Sequence, residues 1–135
     1  MSAEENSKTI ARSLYEGYNT HDLQSVFDKY VSDNLVNRAM GGALTRQMWL
    51  DYDKAVLAAV PDLKATVLEQ VAEGNKVVTH WVFEGTHTNN LFDKPATGNK
   101  VRLEATTIDI IKDGKVAEHN IVGDISQFMQ QFEKN

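Results

Sequence analysis

Residues 75–124 read NKVVTHWVFEGTHTNNLFDKPATGNKVRLEATTIDIIKDGKVAEHNIVGD. The first arm, Lys76 to His87, alternates Val77, Thr79, Trp81 and Phe83 against Val78, His80, Val82 and Glu84, which is the period-two pattern of a half-buried strand. A loop from Thr88 to Asn99, with Pro95 and Gly98, leads into a second β-patterned run, Lys100 to Lys112. Asp113-Gly114 is a strong hairpin signal and turns the chain into Lys115 to Ile125. Working back toward the N-terminus, Leu63 to Glu73 also alternates, placing Leu63, Ala65, Val67 and Val71 on one face, and Gly74-Asn75 joins it to the next strand.

Before Pro61 the period changes. Met1 to Asn6 are polar and expected to fray. Ile10, Leu14 and Tyr18 recur at every fourth position of a helix that begins at Ser7 and ends near Gly17 and Asn19. Asp22 to Tyr30 carries Leu23, Val26, Phe27 and Tyr30 on one side of a second helix. Asn34 to Met40, closed by Gly41-Gly42, reads as a short edge strand. Thr45 is placed as the N-cap of a third helix, Arg46 to Val60, which Pro61 stops because proline disfavours helical geometry in the residue before it. Helices first and strands last indicate an α+β fold of one domain over residues 1–135. The expected form is a curved, cone-shaped antiparallel sheet packed against three N-terminal helices and enclosing a pocket. Strands of about eleven residues exceed the usual five or six, and a long twisted sheet covered on one face curls.

Composition narrows the functions. The chain has 135 residues, 41% hydrophobic and 24% charged, with a net charge of −5. An acidic balance without a basic stripe argues against nucleic acid as a partner. The absence of cysteine removes thiolate chemistry and fits a reducing compartment. Neither a secretory leader nor an apolar run long enough to span a membrane is visible, so the expected place is the cytoplasm. The four histidines, His21, His80, His87 and His119, fall into no metal-ligand spacing, and no metal or cofactor is expected. His119, next to Asn120, is expected to face solvent or a partner subunit. Nucleophile-elbow and phosphate-loop patterns are also missing.

Candidate residues follow from position. Tyr15, Tyr18, Trp49, Tyr52, Trp81 and Phe83 lie on inward faces, where aromatics ordinarily build core but as a group suit a flat, apolar ligand. Glu104 is a second acid within a strand, ordinarily a solvent-facing position. Asp124 follows the apolar pair Ile121-Val122 and precedes a closing apolar patch, Phe128, Met129 and Phe132. On residue type alone it is an N-cap; inside a cavity it would be desolvated and raised toward general-base range. Hairpin register leaves its face open. A two-residue type I′ turn groups Asp124 with Leu103, Thr107 and Asp109, whereas a bulge groups it with Glu104, Thr106 and Ile108.

Gly85-Thr86-His87, Pro95-Ala96-Thr97-Gly98 and Asp113-Gly114-Lys115-Val116-Ala117-Glu118-His119 resemble motifs of the SnoaL-like polyketide cyclases, within the nuclear-transport-factor-2-like superfamily. The resemblance implies a cofactor-independent, intramolecular aldol-type ring closure with Asp124 as the catalytic base. It further implies a small hydrophobic or aromatic ligand, a pocket lined by Tyr15, Asn37, Trp49, Trp81, Glu104 and Asn120, and a homodimer formed through the convex sheet face. Asn120 stands where the family has tryptophan, Asn89 replaces a glycine, and Ile108 and Ile110 occupy the strand that carries polar partners in cyclases. An isomerase or dehydratase of the ketosteroid-isomerase kind, and a non-catalytic binding protein, are the alternatives.

Overall fold

A computed structural model describes residues 2–39 and 44–134. Helix α1 spans Ala3–Gly17 and runs through one 3-10 turn, Tyr18–Thr20, into α2, Leu23–Tyr30. Strand β1, Val31–Asn37, is followed by α3, Arg46–Ala59. Then come β2 (Lys64–Glu73), β3 (Lys76–Thr86), β4 (Lys100–Lys112), β5 (Lys115–Val122) and a short α4 (Ile125–Gln130). The α+β class holds, and the order of elements is the expected one.

Four details differ. The first helix begins at Ala3, not Ser7, because the Ser2 side chain accepts from the Glu5 N–H at 3.1 Å and Glu4 and Glu5 sit where the helix dipole favours acids. The sheet, ordered β1-β5-β4-β3-β2, is mixed and not wholly antiparallel, since β1 runs parallel to β5. That edge strand covers Val31–Asn37, earlier than expected; Met40 and the Gly41-Gly42 stop lie outside the described residues. In β2, a bulge between Val67 and Glu69 reverses the alternation, so Val71 is 60% exposed and Gln70 turns inward to the Thr79 hydroxyl at 3.2 Å.

The concave face of the sheet and helices α1, α2 and α3 share one apolar core. Leu14 and Tyr15, Phe27, Leu50, and Val77, Trp81 and Leu103 on the strands all belong to it. Thr45 caps α3 by accepting from the Met48 N–H, and the helix ends before Pro61, both as expected. Among the described residues, no helix is long and apolar enough to cross a membrane.

The β4–β5 hairpin combines both register alternatives. Asp113 (φ 52°) and Gly114 (φ 77°) make a two-residue turn with Lys112 opposite Lys115. At the next pair Ile111 faces Val116, but Ile110 then pairs with Glu118, which leaves Ala117 as a bulge. Beyond it, Asp109 faces His119 and Thr107 faces Ile121. The extra residue turns His119 inward and makes it 4% exposed, correcting the expectation that it faces solvent or a partner.

Candidate active site

The helices and the sheet enclose a cavity of about 640 Å3. Its walls are aromatic: Tyr15 and Tyr18 from the first helix and turn, Trp49 and Tyr52 from α3, Trp81 and Phe83 from β3. Phe128 and Met129 of α4 close one side. The spacing explains the convergence. Trp49, Tyr52, Asp53 and Val56 recur at i, i+3, i+4 and i+7 on one helical face, and Trp81 and Phe83 alternate on the inner face of β3.

Two polar assemblies interrupt this lining. The first is buried between α1, β4 and β5. Asp109, with no exposure, receives the Tyr15 hydroxyl on Oδ2, while its Oδ1 lies 2.8 Å from His119 Nδ1. A carboxylate removed from water needs such partners. Burial, then the charge of Asp109, push the Tyr15 phenol well above its usual range, so its proton stays in place. Because an ionised carboxylate only accepts, Nδ1 carries the imidazole proton, and in the neutral ring Nε2 keeps its lone pair. His119 lines the cavity, and no described residue hydrogen-bonds to Nε2.

The second assembly is on α3. Asp53 Oδ2 accepts from the Tyr18 hydroxyl at 2.5 Å and from Trp49 Nε1 at 2.9 Å. Burial raises the Asp53 carboxyl above the usual range despite these two donors and the nearby His119, which act the other way. Trp49 links the assemblies, since its ring stacks on the His119 imidazole with centroids 4.2 Å apart and planes 17° from parallel. Trp81 in turn stacks on Tyr15 and donates to Thr107 Oγ1 at 3.3 Å.

Tyr15, Asn37, Trp49, Trp81 and Asn120 all line the cavity. Glu104 does not. It is exposed on the outer face of β4, bonded to His80 at 2.8 Å and to Arg102 at 2.9 Å, because the inward set on that strand is Val101, Leu103, Ala105, Thr107 and Asp109. Asp124 is exposed and is the N-cap of α4, its carboxylate accepting from the Gln127 N–H at 2.8 Å. Its neighbours Gly123 and Ile125 line the cavity, so Asp124 stands at the rim. Gly123 passes close to β4, where a Cβ would come within 2.9 Å of the Ala105 methyl.

Asp53 and Asp109 are site residues that the sequence reading did not single out. Each carried a signal, as an acid in phase with an apolar face: Asp53 four residues after Trp49, and Asp109 two before Ile111. Among the described residues no three His, Cys, Asp or Glu side chains gather in a way that could hold a metal ion.

Comparison with known proteins defines the class. The profile of the SnoaL-like polyketide cyclases matches residues 8–132, and the chain belongs to that family. Solved structures superpose closely. AclR, a proposed hydroxylase from Streptomyces galilaeus, has a TM-score of 0.84 at 21% identity, with 96% of each chain covered. IdmH, a proposed polyketide cyclase from Streptomyces antibioticus, has a TM-score of 0.76 at 26% identity, covering 93% of this chain and 96% of its own. A proposed SnoaL-like polyketide cyclase from Jannaschia sp. CCS1 gives 0.81 at 18% identity, with 98% and 94% covered. A search of curated protein sequences finds no match.

Proposed function

We propose that this protein is a cofactor-independent carbon-acid enzyme, in which His119 removes a proton from a carbon beside a carbonyl of a flat, apolar small molecule. The observation that carries this reading is the His119 ring, its Nδ1 held 2.8 Å from Asp109 and its Nε2 left without a described partner at an aromatic cavity. Asp109 fixes tautomer and orientation and stabilises the imidazolium that forms when Nε2 takes the proton. The resulting enolate, held against an acceptor carbonyl in the same molecule, would close a ring as the family's cyclases are named for. Orientation of two ends of one ligand is worth at best roughly 7–11 kcal/mol of barrier. Release of the enolate to protonation elsewhere would make the same site an isomerase.

A second reading keeps Asp124 as the base, as the resemblance implies, and is favoured by its place between two cavity-lining residues. It requires the carboxylate to leave its cap on α4. The test is deuterium exchange of the α-protons of 1-tetralone, a flat aryl ketone, in heavy water followed by NMR. On the His119 reading, His119→Gln lowers the protein-dependent rate by about 10²–10⁴-fold and Asp124→Asn stays within about twofold. The opposite pattern transfers the role to Asp124. Exchange no faster than in buffer for the wild-type protein sinks both.

A further inference from the structure

Asp53 is the one acid on the apolar face of α3, and its two oxygens are used unequally. Both donors that reach it, Tyr18 Oη and Trp49 Nε1, converge on Oδ2. Among the described residues nothing bonds Oδ1, yet that atom is not sealed in the protein, and Asp53 lines the cavity. With Oδ2 committed to accepting, a proton on this carboxyl resides on Oδ1, the oxygen left for a ligand.

We propose that Asp53 is a ligand-binding and catalytic residue whose Oδ1–H donates a hydrogen bond to the ligand's carbonyl oxygen. The proposal rests on the carbon-acid reading above and assigns the group that receives the charge which His119 creates. As the C–H bond breaks, its proton passes to His119 Nε2 and its electron pair moves through the new C=C bond onto the carbonyl oxygen. The Asp53 O–H shortens its hydrogen bond to that oxygen and keeps its proton, so no further reactant is needed. A neutral donor set in an aromatic cavity is more effective than in water, because it is already oriented and unscreened. Trp49 sets the geometry, its ring on His119 and its N–H on Asp53. The burial that raises the Asp53 carboxyl extends the pH range in which it remains a donor. The ligand class this selects is a flat aryl ketone, quinone or related carbonyl compound.

The titratable groups facing Asp53 are Tyr18 from the turn after α1, Tyr52 on its own helix and His119 on β5. The test separates them. Binding of 1-tetralone and of tetralin, its counterpart without the carbonyl, is followed through quenching of Trp49 and Trp81, the two tryptophans of the chain. The expected result is a preference for the ketone of about three- to tenfold in the wild type, as for one hydrogen bond. That preference should fall as pH rises and Asp53 ionises, and be absent in Asp53→Leu. Asp53→Asn keeps an N–H donor and cannot ionise, so its preference should persist and be flat with pH. Equal affinity for the two probes in the wild type, or a preference that survives Asp53→Leu, overturns the proposal. Should Asp53→Leu fail to fold, a pH-dependent preference remaining in Asp53→Asn overturns it, since the pH dependence would then come from a group other than Asp53. Proton exchange that still depends on His119 in the face of such a result would leave the base intact and remove Asp53 alone. Failure of both probes to bind overturns the cavity reading as well.

Discussion

His119 Nδ1 lies 2.8 Å from Asp109 Oδ1, across the β4–β5 pair that the Ala117 bulge brings into register. Asp109→Asn keeps size and removes charge. An amide in that place neither stabilises an imidazolium nor specifies the Nδ1–H tautomer. Exchange of 1-tetralone α-protons should fall by about 10²-fold or more, with tetralone binding nearly unchanged. A rate within twofold of wild type would show that the dyad has no role in proton abstraction.

Tyr15 is the other partner of Asp109, and it is 2% exposed. Tyr15→Phe leaves the ring stacked on Trp81 but strips one donor from a carboxylate that has no contact with water. The expected loss is about 1–3 kcal/mol of unfolding free energy, read from the urea midpoint at constant slope.

Asp124 gives a separable structural prediction. Its carboxylate caps α4, whose Phe128 helps wall the cavity. Asp124→Ala should cost about 1 kcal/mol, whereas Asp124→Asn, an equally good cap, should cost almost nothing. Measured side by side in urea, the two variants separate loss of the cap from loss of a base in the exchange assay. Equal destabilisation by both would show that charge, not capping geometry, is what the position supplies.

Much of the fold was legible because its signals are local. The cap at Thr45, the stop at Pro61, the Asp113-Gly114 turn and the alternation from Val77 to Phe83 each involve residues close in sequence. The two bulges were not legible, because an extra residue in one strand is decided by what it must pair with. Near Leu68 the bulge moved Val71 out and Gln70 in; at Ala117 it moved His119 from the expected surface into the site. The direction of β1 is likewise set by its distant partner β5, not by its own seven residues. Tyr15, Trp49 and Trp81 were readable as inward-facing from helical and strand period, and their place at the cavity followed from the resemblance. Their polar partners Asp53 and Asp109 were not singled out, because what distinguishes them is the distant donors Tyr18, Tyr15 and His119 that the fold brings to them.

The corner at Gly85-Thr86-His87 carries a pH prediction of its own. His87 is fully buried, its Nδ1 is 2.9 Å from Thr97 Oγ1, its ring packs edge-on against Phe132, and Nε2 has no partner among the described residues. Burial lowers the pKa of this imidazole below its ordinary value, so the folded protein holds His87 neutral. In the unfolded chain the group titrates near 6.5. Between the lowered folded value and about 6.5 the unfolded state therefore binds more protons, and stability rises with pH. The contribution is complete above about pH 6.5 and is lost as pH falls from there toward the folded pKa. Urea unfolding at pH 7.5 and pH 5.5 should show the wild type weakened at the lower pH. His87→Gln, uncharged throughout, should lose less between the same two conditions, even if it is less stable at both. A His87→Gln variant that weakens by as much as the wild type would assign the acid sensitivity to other groups.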